Sequence, residues 1–156
     1  MARKLSFALL CGVLTVGAAA LLSSSPFAQA PRRNPPDAVP AHHNAVPTTP
    51  LADTLSPAQF TDVITKNSYA MAAKVKNVLY QQPCYCFCDK NDGHHSLYDC
   101  FVSAHASTCN ICKMEGVFAY EQTRKGETAT AIRREIIRGD WKSIDPQKYT
   151  TLRDIR

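Results

Sequence analysis

The sequence predicts a mainly α protein, a small irregular helical bundle with a cysteine-rich loop packed on it. Three observations carry this expectation. Apolar residues recur at helical spacing between Phe60 and Tyr80. Alternating patterns of the strand type are nearly absent. Three cysteines, Cys84, Cys86 and Cys88, are crowded between a helix-ending Pro83 and an Asn91-Asp92-Gly93 turn signal.

Taken in chain order, residues 1–30 read as an export signal. Arg3 and Lys4 form a short positive region, the run from Leu5 to Leu22 is apolar and free of acids, and Ala28-Gln29-Ala30 offers small residues where a signal peptidase cleaves. Cleavage is expected after Ala30, which places the working protein outside the cytoplasm, periplasmic or secreted. The competing reading is a retained anchor, because the apolar run approaches membrane-spanning length. A lipid-modified Cys11 is not expected, since Leu10 before it is not small. Loss of the signal takes Cys11 with it and leaves six of the seven cysteines, an even number.

Residues 31–55 read as a disordered, proline-rich linker, and the stretch from Pro31 to Pro57 holds seven prolines. Its adjacent His42 and His43 are read as incidental. A domain is expected over residues 56–145. Ser56-Pro57 has the form of a helix start, an N-cap hydroxyl with proline at the first helical position. From there Phe60, Val63, Ile64, Met71, Val75, Val78 and Leu79 recur at helical spacing as one continuous helix to Tyr80. Residues 84–93 are expected to form a loop. A short helix is expected over residues 95–105 with Leu97, Phe101 and Ala104 inward, and another over 108–124. Gly126 separates these from a last helix over 128–138, which turns Ile132, Ile136 and Ile137 to the core and is capped by Gly139. Residues 146–156 read as a tail.

The chemistry lies in the cysteines. Residues two apart on an extended chain point to opposite sides, so Cys84, Cys86 and Cys88 suit a disulfide framework poorly. A folded-back loop could turn all three sulfurs toward one ion. Cys109 and Cys112, three apart on a helix, would present two thiolates on one face. Gly116 and Ala119 continue that face with small side chains that would let the loop approach. With Cys100 these make six candidate ligands, to which His94, His95, His105 and Met114 could add as auxiliary ligands or orienting groups. Thiolates are soft donors that suit Cu(I) and Zn(II). Four could close a tetrahedral zinc site, or six could share several Cu(I) ions. Ferredoxin-type spacings are absent, so iron–sulfur chemistry is the least supported.

Two other readings stand beside the metal one. An exported chain of about 100 working residues has a thin core that disulfides would also support. Cys109-Asn-Ile-Cys112 has the spacing of a redox dithiol, with Thr108 as a helix cap that would lower the Cys109 pKa, although the strand–helix alternation around thioredoxin-like motifs is missing. No catalytic residue is singled out, because a closed all-sulfur site offers no position for an activated water.

The order of Pro83-Cys-Tyr-Cys-Phe-Cys88, Gly93-His94, Ser96-Leu-Tyr-Asp-Cys-Phe-Val102 and Cys109-Asn-Ile-Cys112 resembles the exported bacterial family named for its PCYCGC, or CYCXC, motif. The resemblance covers roughly residues 56–140. It implies a secreted or surface-anchored protein whose cysteines are reactive or coordinating groups, some members carrying selenocysteine in their place; it names no activity and no metal. Phe87 stands where many members have glycine, so this loop is not expected to use a glycine-only backbone angle.

Charge narrows the partners. The formal net charge of +5 falls to +3 once Arg3 and Lys4 leave with the signal, since sixteen bases then face thirteen acids. That mild balance, without basic and aromatic residues interleaved, does not point to nucleic acid. The arginines of the last third read as a solvated helix face. The expected partner is a metal ion, with no membrane contact after cleavage and no protein partner specified.

Overall fold

The computed structural model describes residues 38–151. The expected signal at 1–30 with Cys11, residues 31–37 of the expected linker and 152–156 of the expected tail lie outside the described residues. Within 38–151 the secondary structure is entirely helical: α1 (Val63–Lys74), α2 (Lys76–Leu79), α3 (Cys88–Asn91), α4 (Leu97–Val102), α5 (His105–Thr108), α6 (Asn110–Arg124) and α7 (Ala129–Arg138), with three short 3-10 turns.

The Ser56-Pro57 signal starts one of those turns rather than the long helix. Ser56 Oγ accepts from the Ala58 N–H, but the turn ends at Gln59. The helix proper begins at α1, where Asp62 Oδ2 accepts the Thr65 N–H at 2.7 Å. The expected continuous helix is also broken at Val75, whose φ of −126° and ψ of 28° leave the helical range and set α2 off as a separate turn. The break keeps Val75 and Leu79 buried while Val63, expected inward, is 44% exposed.

The middle of the fold is α6, against which α1, α2, α4, α5 and α7 all pack. Its residues Val117, Phe118, Ala119 and Tyr120 are buried. Gly116 has a different role from the one its small size suggests. A Cβ there would lie 2.5 Å from Phe101 Cζ, so it is the Phe101 ring of α4, not the cysteine loop, that lies on the α6 backbone. Asp99 Oδ2 accepts the His95 and Ser96 N–H groups at 2.6 and 3.1 Å and fixes the start of α4. Leu97 and Phe101 face inward as expected; Ala104 is exposed, and Ala106 of α5 is buried in its place. In α7 Thr128 caps the start and Gly139, at φ 88°, caps the end. Ile132 and Ile136 are buried while Ile137 is 42% exposed.

Both flanks belong to the fold. Residues 38–55, expected as part of a free linker, lie along the helices without regular structure. Ala41 N–H donates to Asp89 Oδ2 at 3.1 Å, and the His43 ring stacks on Tyr80 with centroids 3.7 Å apart. Arg133 donates to the His43 carbonyl at 2.9 Å, Tyr98 Oη to the Ala52 carbonyl at 2.7 Å, and Leu55 N–H to the Phe101 carbonyl at 2.9 Å. Proline denies this strap a ladder of its own, and backbone groups of Ala41, His43, Ala52 and Leu55 bond to the domain instead. At the other end, Tyr149 of the expected tail packs on the core. Its carbonyl accepts from the buried Asn67 at 2.6 Å, and its hydroxyl donates to Glu121.

Candidate metal centre

The cysteine loop is fixed from three sides. Before it, the fully buried Gln82 donates through Nε2 to the Val78 and Ala129 carbonyls at 2.9 and 3.1 Å, and its own carbonyl accepts the Leu97 N–H at 2.9 Å. Within it, Phe87 N–H donates to the Cys84 carbonyl at 3.0 Å and closes a tight turn. Behind it, Glu115 of α6 accepts the Tyr85 N–H on Oε1 at 2.9 Å.

Phe87 then takes a left-handed conformation, φ 59° and ψ 33°, alone in this among the described non-glycine residues. The expectation that Phe87 would forgo the angle favoured by glycine is therefore corrected. The strain, about 1–2 kcal/mol for an L residue, is borne because the turn on one side and α3 on the other leave the chain no other path.

That reversal distributes the sulfurs. Cys84 Sγ lies 3.3 Å from Cys86 Sγ, while Cys88 Sγ lies 3.4 Å from Cys100 Sγ. The three loop cysteines do not converge on one point, as the sequence suggested, but divide between two groups. Cys86 joins His105, Cys109 and Cys112; Cys84 and Cys88 join Cys100. Within each group the donor atoms all lie within 4.8 Å of one another. The groups touch through Cys84, whose sulfur is 3.5 Å from that of Cys112.

The remaining candidate ligands come from helix ends. Cys109 stands at the junction of α5 and α6, and Cys112 lies in the first turn of α6, where the amino end of the helix favours negative sulfur. Cys86 Sγ is 3.6 Å from Cys112 Sγ and 3.5 Å from His105 Nε2. On the far side of that ring, Asp92 Oδ2 lies 3.6 Å from Nδ1. All six described cysteines are free thiols. Their separations exceed the ~2.05 Å of a disulfide and fall near the ~3.8 Å expected between sulfurs sharing a tetrahedral ion with bonds of ~2.3 Å.

Crowding makes the sulfurs electrostatically unlike. Hydrogen bonds from neighbouring thiols, that of Cys112 foremost, lower the Cys100 pKa to about 4. Cys86 is also lowered, chiefly by Cys100. Cys84, Cys88 and Cys112 are pushed up, in each case chiefly by Cys100, with burial adding to it. Partial burial works against a charged His105, but Cys86, Cys100 and Asp92 outweigh it and raise its pKa. Burial foremost raises Glu115 well above the carboxylate range, and its Oε2 has no hydrogen-bond partner. So many thiols at such spacing can all ionise only around a cation, and soft sulfur donors fit a thiophilic one.

The auxiliary residues fare differently. His105 is a full member of one group. His94 stands at the edge, Nδ1 3.3 Å from Cys100 Sγ and its ring edge-on to His105 at 5.0 Å. His95 is exposed. Met114 lines a cavity with Asp62, Thr65 and Pro146; two residues past Cys112 is about 200° around a helix. Sequence reasoning missed Asp92 and Glu115. Asp92 was absorbed into a turn signal, whereas Glu115, three residues after Cys112 on one helical face, carried a signal that spacing alone could have found.

A protein-family model described as a protein of unknown function with PCYCGC motif matches residues 48–143. Phe87 occupies the fifth position of that motif, where its name has glycine. No curated protein and no solved structure matches the chain.

Proposed function

We propose, from the premise that this chain belongs to the PCYCGC-motif family, that it is an exported protein that binds a soft metal ion, Cu(I) or Zn(II), through clustered thiolates. Its role is to handle or sequester that ion outside the cytoplasm, without catalytic machinery of its own. The observation that carries this reading is the convergence of all six described cysteines and His105 in two touching donor groups. A framework of structural disulfides would gain nothing from bringing so many sulfurs together.

Cys86, Cys109, Cys112 and His105 would hold an ion with Asp92 orienting the imidazole; Cys84, Cys88 and Cys100 would complete the sulfur lining. A bound ion supplies the positive charge that lets crowded thiols ionise together. The redox alternative at Cys109 and Cys112 draws less support. The Cys112 hydrogen bond pulls the Cys109 thiol down, but Cys86 and burial outweigh it and leave it raised, the wrong direction for an attacking thiolate.

The test is metal analysis with thiol titration on protein purified under reducing conditions. Bound metal with a thiolate-to-metal charge-transfer band is expected. Cys86→Ser is expected to lower metal content and melting temperature together, because binding free energy is then also folding free energy. Metal-free protein with all its cysteines oxidised, or rapid catalytic reduction of a model disulfide by the loaded protein, would overturn the reading.

A further inference from the structure

We infer that the cluster is two sites of different capacity: an outer four-donor site that takes Zn(II) or Cu(I), and an inner three-sulfur site that takes Cu(I) but not Zn(II). This rests on the metal-binding reading above and adds to it the division of the donors.

Number and kind of donor separate the two groups. Cys86, Cys109, Cys112 and His105 are four, three sulfurs and one imidazole nitrogen, the set that closes a tetrahedron around Zn(II). Cys84, Cys88 and Cys100 are three, and the further sulfur beside them, Cys86, belongs to the outer four. His94 approaches Cys100, and Glu115 keeps Oε1 on the Tyr85 backbone with Oε2 unpartnered, but neither belongs to the donor group. Zn(II) is almost always four-coordinate, so it would need water to complete a shell here. Cu(I) is a softer ion with a filled d shell, and three thiolates in a plane satisfy it.

Access separates them as well. Cys84, Cys88 and Cys100 are 3%, 3% and 0% exposed, so a water ligand has no ready place beside their sulfurs. In the outer group Cys86, Cys109 and His105 are all half-buried, and only Cys112 is fully enclosed. The outer site therefore meets the solvent and the inner one does not. Cys84 is the seam, its sulfur 3.3 Å from Cys86 and 3.5 Å from Cys112. That is close enough for one thiolate to bridge two Cu(I) ions.

The experiment is a pair of titrations of the purified, fully reduced protein, one with Zn(II) and one with Cu(I) without oxygen, read by native mass spectrometry. The expected result is one bound Zn(II) and at least two bound Cu(I). The double variant His105→Ala, Cys109→Ser is expected to lose Zn(II) binding and still take up Cu(I). Serine is a favoured residue at the helix-start position of Cys109, and circular dichroism would confirm the fold. Equal numbers of the two ions in the parent protein, or loss of all Cu(I) from the folded double variant, would overturn the division while leaving metal binding intact. Failure to bind either ion would overturn the metal reading and the division with it.

Discussion

Asp92 Oδ2 stands 3.6 Å from His105 Nδ1, on the side of the imidazole opposite the Cys86 sulfur. The carboxylate thus favours a proton on Nδ1 and a free Nε2 lone pair directed at the cluster, the arrangement by which a ligating histidine is oriented. Asp92→Asn is expected to weaken Zn(II) binding by about ten-fold, the low end for orienting residues. Melting of the metal-free protein should not change, because Asp92 is exposed. Competition against a chelator measures the first and a thermal scan the second. Unchanged affinity would remove Asp92 from the site.

Phe87 supplies a second test, since its backbone angle and its identity pull in opposite directions. Phe87→Gly should stay within about 1 kcal/mol of the parent, because relief of the left-handed angle is set against the greater freedom of the unfolded glycine chain and the lost edge contact with Tyr85. Phe87→Val should cost roughly 2 kcal/mol more than glycine, as a β-branched residue tolerates that angle least. Urea unfolding of the reduced protein gives the order. Valine as stable as phenylalanine would mean that the loop does not turn at this residue.

Gly116→Ala is expected to destabilise, against the ordinary preference of helices for alanine. The helical gain is about 1 kcal/mol. The new Cβ would lie 2.5 Å from Phe101 Cζ and 2.9 Å from Cε2, in a fully buried ring that has nowhere to retreat. Overpacking of this kind costs roughly 1–3 kcal/mol, so the clash decides the sign. A lowered melting temperature, partly recovered by adding Phe101→Leu, is the expected result; a raised one would show that α4 can move.

Tyr69 gives a pH dependence. Burial foremost raises its phenol to about 12, and its hydroxyl donates to the Ser103 carbonyl at 2.8 Å. The unfolded phenol titrates near 10. The neutral form favoured by folding therefore contributes its full stability below about pH 10, and that contribution fades as pH rises toward 12. Tyr69→Phe should cost about 1 kcal/mol at neutral pH through the lost hydrogen bond. The gap between the two proteins should narrow in urea unfolding at pH 11. A constant gap would mean that Tyr69 ionises as easily folded as unfolded.

Much of the fold was legible where the signals were local. Thr128 and Gly139 bracket α7 as capping chemistry predicts, and Ile132 and Ile136 face inward at the expected spacing. The first helix starts later than its apolar rhythm, because Phe60 carries that rhythm upstream of Asp62, the residue that caps α1, while Ser56 and Pro57 start only a short turn. All six cysteines of the two donor groups could be named from spacing. Their division into two groups could not, because it depends on a positive φ at Phe87, a residue whose identity argues against one. The docking of residues 38–55 was equally hidden: it rests on backbone carbonyls and a stacked His43, and neither leaves a period in the sequence.

The strap sets a limit on how this protein can be cut. A recombinant fragment begun at Ser56, where the helical rhythm starts, would strip a hydrogen-bonding partner from the Phe101 carbonyl, another from Tyr98 and the stacking partner from Tyr80. It would also free Asp89, next to Cys88 in the loop, from the Ala41 amide. Such a fragment would present a loosened cysteine loop as though it were the native one. A faithful minimal version has to include Ala41 and the strap that follows it, and binding measured on anything shorter would describe the truncation.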